Sequence, residues 1–258
     1  MCRLAAYLGP ETSLHHIVFD TNHSLEKQAW QPKELREAKL NVDGFGFGWF
    51  NENGQLARYR QTLPIWGDAN LRDFCHSLQR PLWLCYIRSA TPGLGTSLTN
   101  TQPFSYQSWQ FLHNGYINNF SLDIRSRIRH FLPHSLESLI DGNTDSEYLF
   151  VLILHFFQQS NDMPGAIREA FKQLKKWLEK ERALLNIILS DGDQIIASSY
   201  AINGESPSLY YGKDIEGFPK ESQLLVSEKL NDDEHWQAIP AGSLIRLRAG
   251  LAVEIKTL

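Results

Sequence analysis

Four short stretches carry side chains that could do chemistry together. They are Cys2 at the head of MCRLAAYLG, Arg88 and Thr91 in YIRSATPGLG, Asn114-Gly115 in FLHNGYINN, and Asp145 in GNTDSEYLF. Each has an ordinary structural explanation when taken alone. Position 2 tolerates almost any residue, and an arginine at a strand end is commonly solvated or paired on the surface. Asn-Gly after a strand is a frequent hairpin signal. Asp145 and Glu147 beside a helix start would complement the helix dipole.

Taken together, they specify a reaction. Removal of Met1 would leave Cys2 with a free α-amine next to its own thiol. An α-amine ordinarily titrates near ~7.7–8.0 and a thiol near ~8.5. The amine can therefore serve as general base for the thiol, directly or through a water. No histidine partner is needed, and none stands at a convincing spacing. A thiolate attacking an amide carbonyl develops an oxyanion. Asn114 offers a side-chain amide donor for it and Gly115 an unobstructed backbone N–H; one such donor is typically worth ~2.7–4 kcal/mol of barrier. Arg88 presents a planar fork suited to a carboxylate, with the Thr91 hydroxyl nearby. Asp145 supplies an anion for an ammonium. A carboxylate clamp beside an ammonium clamp describes the α-amino-acid end of a glutamyl group, and the bond to be broken would be its γ-amide.

The elements that must position these residues can be read from periodicity. Strand patterns occur at CRLAAYLG, GFGFGWF, QLARYRQ, LWLCYIR and WQFLHNG, and again at LLNIILS, QIIASSYA, SLYYG, QLLVSE and SLIRLR. WQFLHNG is expected to stop at Asn114-Gly115. Helical periodicity lies between the two groups, in SLDIRSRIRHFL, in SEYLFVLILHFFQQ behind the N-cap Thr144, and in AIREAFKQLKKWLEKER after Met163-Pro164. Strands, then helices, then strands do not suit a repeating parallel crossover. The order suits an α+β layered fold with helices on antiparallel sheets, forming one domain over residues 2–258.

Bulk properties narrow the function. A net charge of -4 over 258 residues leaves no electrostatic footprint for nucleic acid or acidic membranes. Three cysteines without a CxxC pair argue against a disulfide framework and a thiolate zinc site. Cys85 falls in an apolar strand and Cys75 on a short amphipathic helix, so both read as core. MCRLAAYLG is too short for a secretory apolar region, and YLFVLILHFF too short for a membrane span; a cytoplasmic protein is expected. His15, His16 and His23 lack acidic or cysteine partners at ligand spacing, so no metal is expected. They read as surface loop or as a wall of a leaving-group pocket. Trp30, Trp49, Phe50 and Trp66 read as core, with Trp30 the one to watch if a histidine derivative leaves. GFGFG lacks the strand-to-helix setting of a phosphate loop and reads as a strand with tight backbone packing.

MC at the start, RSAT, HNG and TDSE, in that order, resemble the class II glutamine amidotransferases, exemplified by the glutaminase domain of glucosamine-6-phosphate synthase. The resemblance implies an amino-terminal-nucleophile hydrolase with a four-layer αββα sandwich and no cofactor. Carried over by position, it makes Cys2 the nucleophile and Asn114 and Gly115 the oxyanion hole. Arg88, Thr91 and Asp145 would hold the glutamyl carboxylate and amine. NVDGFGFGWF matches the strand pair packed behind the nucleophile. SLEKQAWQP, RSATPG and SEKLNDDEHWQAIPAGSLIRL extend the likeness to the stand-alone amidohydrolases of ergothioneine biosynthesis, which remove a γ-glutamyl group from a sulfur-bearing histidine derivative.

The chain departs from the synthase-type pattern at Pro92, where a histidine is common. It departs again at Gln102, where NTQPF replaces a histidine-containing NxHP. Both bear on whether free glutamine is a good substrate. Alternatives are a glutaminase subunit feeding ammonia to a separate synthetase partner, a hydrolase of other γ-glutamyl peptides such as glutathione-derived ones, and a non-catalytic γ-glutamyl-binding module. The sequence leaves the leaving amine open, and with it the choice between a homodimer and other oligomeric states.

Overall fold

The computed structural model describes residues 2–34, 40–90 and 95–258. In chain order the first half contains β1 (Arg3–Ser13), α1 (Leu25–Trp30), β2 (Phe45–Phe50), β3 (Leu56–Gln61), α2 (Leu71–Ser77), β4 (Gln79–Ile87), β5 (Phe104–Tyr106) and β6 (Trp109–Ile117). Helices α3 (Arg125–Phe131), α4 (His134–Glu137), α5 (Asp145–Ser160) and α6 (Met163–Leu178) follow. The chain closes with β7 (Ala183–Ser190), β8 (Gln194–Ser199), β9 (Ala201–Ile202), β10 (Tyr210–Lys213), β11 (Gln223–Val226), β12 (Gln237–Ala238), β13 (Ser243–Arg248) and β14 (Glu254–Thr257).

Two antiparallel sheets result. One runs β12-β10-β11-β1-β4-β2-β3, and the other β14-β13-β8-β7-β6-β5 with β9 beside β7. Strand alternation sorts side chains into three apolar layers. In β1, Leu4, Ala6 and Leu8 face the second sheet together with Leu112, Ile188 and Ile245. Ala5 and Tyr7 face the other way, onto Leu25 and Ala29 of α1 and Leu71 and Cys75 of α2. The outer face of the second sheet, with Phe111, Leu185 and Ile187, packs against α3–α6. Helix, sheet, sheet, helix is the expected four-layer αββα sandwich.

Local chemistry explains the two long helices. Thr144 caps α5 by accepting from the Glu147 N–H at 3.3 Å, which satisfies an otherwise unpaired first-turn donor. Residues 146–154 are buried without a break, as suits a helix covered on every side. Asp162 caps α6 by accepting from Gly165 N–H at 3.1 Å. Its buried residues Met163, Ala166, Ile167, Ala170, Phe171, Leu174 and Leu178 fall on one stripe. The short α1 has a cap of the same kind, Ser24 accepting from the Lys27 N–H at 3.3 Å, whereas α4, β5, β9, β12 and β14 have no comparable signal. Trp30 and Trp66 are not core: they are 50% and 46% exposed. Trp30 is the last residue of α1, whose buried side is Leu25, Gln28 and Ala29, and Trp66 lies in a single 3-10 turn that buries Ile65 instead.

GFGFG works as a contact between the sheets. A Cβ on Gly46 would sit 2.0 Å from the backbone oxygen of Gln102, and one on Gly48 would sit 1.7 Å from the Gln110 side-chain oxygen. Gln110 reaches across from β6 and donates to Trp49 O at 2.9 Å and Ala57 O at 3.3 Å. Only strand β2 without side chains at these two positions lets the sheets touch. Gly46→Ala is expected to cost about 1–3 kcal/mol, the range for overpacking. Gly48→Ala should cost less, because its clash is with the movable end of a side chain. Denaturant midpoints of the two variants check the order.

Candidate active site

Cys2 precedes β1, and the pairing Arg3↔Ile87 sets it opposite Arg88. It is 7% exposed and lies in the inter-sheet layer with Leu4, Tyr86 and Leu112. Its sulfur accepts from Tyr86 Oη at 2.8 Å and from the Ser89 N–H at 3.3 Å, and lies 3.4 Å from Ser89 O. Burial raises the Tyr86 hydroxyl well above its ordinary range, and the neighbouring Cys2 adds to the effect. Tyr86 thus stays protonated as a donor to sulfur. Arg88 and Asp145 also act on Tyr86 through their charge, so thiol, guanidinium and carboxylate share one neighbourhood. The other two thiols are core, as expected. Burial pushes Cys75 up to about 12 and Cys85 well above the usual thiol range, which keeps both as poor nucleophiles.

Arg88 is 3% exposed. Its guanidinium donates to Asp43 O and Gly95 O, each at 3.4 Å. No ion pair joins it to a carboxylate among the described residues. Asp43 fixes the turn that carries it: Asp43 N donates to Arg88 O at 3.2 Å, and Asp43 Oδ2 accepts from Ala90 N at 2.7 Å. Thr91 and Pro92 lie outside the described residues, as does Met1.

Asn114 and Gly115 are placed differently from expectation. The strand does not stop there; β6 continues to Ile117, with Asn114 opposite Asn186 and Gly115 opposite Leu185. Asn-Gly is a turn signal because both residues tolerate left-handed backbone, and here neither uses that freedom. Gly115 is required by close approach instead, since a Cβ would sit 1.8 Å from Leu184 O and 2.6 Å from His113 Nε2. Asn114 shares the inter-sheet face with Leu112. It is buried, and its Oδ1 has no hydrogen-bond partner among the described residues. Asp145 opens α5 and ties that helix to the end of β6: its Oδ2 accepts from Ile117 N–H at 2.8 Å and its Oδ1 from Ser146 Oγ at 3.3 Å. A carboxylate has about four acceptor sites, so capacity remains for an ammonium. Glu147 is taken up elsewhere, accepting from Asp141 N–H and Gly142 N–H at 3.0 and 2.8 Å.

Sequence reasoning missed the support around these groups. Tyr86 was legible only as the residue two before Arg88, on the same face by strand alternation. Arg3, buried, pairs with Glu228 at 3.3 Å. Glu228 also meets His23 Nε2 and accepts from Lys33 N–H at 2.7 Å. Burial opposes ionisation of Glu228, but the His23 hydrogen bond, the Lys33 N–H and Arg3 together hold it below the usual carboxylate range. Ser227 accepts from Leu4 N–H at 3.0 Å, so the segment after β11 clasps the first strand. The three histidines do have acidic partners. His15 and His16 share Asp20, at 2.8 and 3.5 Å, while His23 belongs to Glu228. They do not form one cluster. His23 is buried and borders a cavity of about 240 Å³ with Lys27, Lys33 and Asp232.

A family model described as glutamine amidotransferases class-II matches residues 16–203. The gamma-glutamyl-hercynylcysteine sulfoxide hydrolase of Mycolicibacterium smegmatis is 29% identical over 248 residues, covering 96% of each chain. Among solved structures, a glutamine aminotransferase class-II domain protein from Silicibacter pomeroyi is similar with a TM-score of 0.72 at 22% identity, covering 99% of both chains. The glutamine phosphoribosylpyrophosphate amidotransferase of B. subtilis follows at 0.68 and 14% identity, covering 99% of this chain and 49% of that one. These last two are likenesses of fold. No helix among the described residues is long and apolar enough to cross a membrane.

His113 gives the site a pH-dependent foundation. Its ring bridges Ser146 Oγ at 2.9 Å and Leu184 O at 2.8 Å. Burial holds it below its ordinary value of 6.5, against the opposing charge of Asp145. The unfolded chain therefore binds the proton more readily, and stability present above pH 6.5 is lost as pH falls below that value. The expected slope is up to ~1.4 kcal/mol per pH unit for one group. Urea midpoints between pH 7 and 5 should show a shallower slope for His113→Gln than for the parent; equal slopes would discard His113 as the source.

Proposed function

The chain belongs to the class-II glutamine amidotransferases, and we propose that it hydrolyses γ-glutamyl amides with Cys2 as the nucleophile. In this reading Met1 is removed and the freed α-amine takes the thiol proton. Sulfur then attacks the γ-carbonyl carbon. The tetrahedral oxyanion is received by the Asn114 side-chain amide and the Gly115 N–H. The C–N bond breaks, the leaving amine takes the proton, and a γ-glutamyl thioester remains on sulfur. Water attacks the thioester and returns glutamate and the free thiol. Arg88, with Thr91, receives the glutamyl α-carboxylate and Asp145 its ammonium. The interleaving of β1 between β11 and β4 supports reading residues 2–258 as one catalytic domain.

The observation that carries this reading is the buried Arg88 beside the thiol. Buried cations are normally paired. This one has two long bonds to carbonyls and no carboxylate among the described residues, while Cys2 lies against its neighbour Ser89. An anionic ligand would pair with that cation, and a thiol next to it would act on that ligand's own amide.

For the leaving group we propose a sulfur-bearing histidine derivative, as in ergothioneine biosynthesis. The near-full-length likeness to the mycobacterial hydrolase supports it. A product screen tests the choice by following glutamate release from γ-glutamyl sulfur-histidine compounds, glutathione and glutamine. Preference for the first is expected. Release from glutamine alone would instead favour an ammonia-supplying glutaminase, and release from glutathione alone a general γ-glutamyl peptidase.

Cys2→Ala should abolish turnover and leave the thermal unfolding midpoint near that of the parent. Intact mass of active protein should lack the first methionine. Arg88→Ala and Asp145→Ala should each lower kcat/KM by about 10²-fold or more, because misplacement of the amide by an ångström is enough for such a loss. Undiminished hydrolysis by Cys2→Ala would remove the mechanism. Parent-like behaviour of both clamp variants would remove the substrate class.

A further inference from the structure

We propose that Gln102 is a positioning residue, one that aims the oxyanion-binding edge of β6 by standing in for a missing strand. The proposal rests on the roles given above to Asn114 and Gly115. Strand β5 pairs with β6 only at Trp109–Phe111. Beyond Phe111 that edge of β6 would be left without a ladder partner. The Gln102 side chain takes the next rung. Its Oε1 accepts from the His113 N–H at 2.5 Å and its Nε2 donates to His113 O at 3.1 Å. One amide group thus reproduces both bonds that a neighbouring strand would make.

The alternation of an antiparallel strand carries the argument forward. The N–H and C=O of a residue point to the same side, and those of residues i and i+2 share that side. His113 points to the Gln102 edge, so Gly115 and Ile117 do as well. The Ile117 N–H is met by Asp145 Oδ2 at 2.8 Å. Among the described residues, Gly115 N–H therefore faces a gap with an amide filling the rung before it and a carboxylate the rung after. A rung open between two filled ones is where an oxyanion can sit without breaking the strand.

Gln102 is itself held rigidly. It is 2% exposed. Arg60 donates to the carbonyl on one side of it, Thr101 O at 3.0 Å, and Arg58 to that on the other, Pro103 O at 3.2 Å. The bare Cα of Gly46 lies against its backbone oxygen. First sheet, Gln102 and the β6 edge form one stack, and the aim of the Gly115 N–H is set at its far end.

Gln102→Met conserves volume and removes both bonds. It should lower kcat by on the order of 10-fold to 100-fold while KM stays within about twofold, since oxyanion donors act only when charge develops. Two binding probes separate aim from general damage. Glutamate γ-semialdehyde adds the Cys2 sulfur to its aldehyde carbon to give a hemithioacetal whose oxygen sits in the hole, so its affinity should fall in step with kcat. Glutamate, held by the clamp alone, should bind as in the parent. Gln110→Met, which also removes a buried amide, should lower stability and spare the ratio of the two affinities. If Gln102→Met does not fold, Gln102→Glu keeps an acceptor for the His113 N–H and should show a smaller loss of the same pattern. Unchanged kcat and semialdehyde affinity in a folded variant overturn the proposal, as does an equal loss of glutamate affinity. A parent that releases no glutamate from any γ-glutamyl compound would sink the assigned chemistry, and this role with it.

Discussion

The register between β1 and β4 is the constraint from which the site follows. With Arg3 opposite Ile87, the even-numbered residues Cys2, Leu4 and Ala6 face the second sheet alongside Leu84 and Tyr86. A slip of one residue would turn every side chain to the opposite face. It would put the Arg3 guanidinium where the thiol is and drive the thiol under the α1 layer. The pattern forbids that slip on both faces at once, because Ala5 and Tyr7 are fully buried on the other side. Register is therefore fixed by apolar burial along the whole strand, and Cys2 is placed as a consequence.

The second sheet has to bring its edge to the same spot, and it does so through contacts that side chains would obstruct. Gly46 and Gly48 admit Gln102 and Gln110, and Gly115 admits Leu184 O. In each case a glycine is needed for what it lacks, and in none of them for left-handed backbone. A methyl at Gly46 would press on a carbonyl held between two arginine-bound neighbours, so the strain would pass along to β6.

What could be read in advance follows from how local each determinant is. The long strands and α5 with its Thr144 cap announce themselves in a window of a few residues, and the structure has them where periodicity puts them. Asn114-Gly115 misled because the dipeptide's local preference is for a turn, and only the crossing of β7 at Leu184 makes it a strand. Tyr86 on Cys2, Asp43 on Ala90, and Glu228 on Arg3 join residues 47 to 225 positions apart. No spacing rule reaches that far. Gln102 stood out only as an oddity in NTQPF, since the backbone groups it satisfies belong to a strand whose neighbour ends early.

Two buried arginines flank the thiol, and the contrast between them separates scaffold from site. Arg3 and Arg88 are 1% and 3% exposed, so each has given up hydration worth several kcal/mol unless something compensates. Arg3 is compensated within the fold by Glu228, itself held ionised by His23 and the Lys33 N–H. That ion pair balances the charge and anchors the strand that bears Cys2, although Arg3 Nε and Nη2 are buried without a hydrogen-bond partner among the described residues. Among the described residues Arg88 has only carbonyl oxygens at 3.4 Å, which satisfy directional bonding poorly and offset no net charge. Were burial alone the purpose, a residue of similar volume without charge would serve better at position 88. Under the proposed function its cost would be recovered when an anion enters, so that binding of a carboxylate and pairing of the buried cation would be the same event.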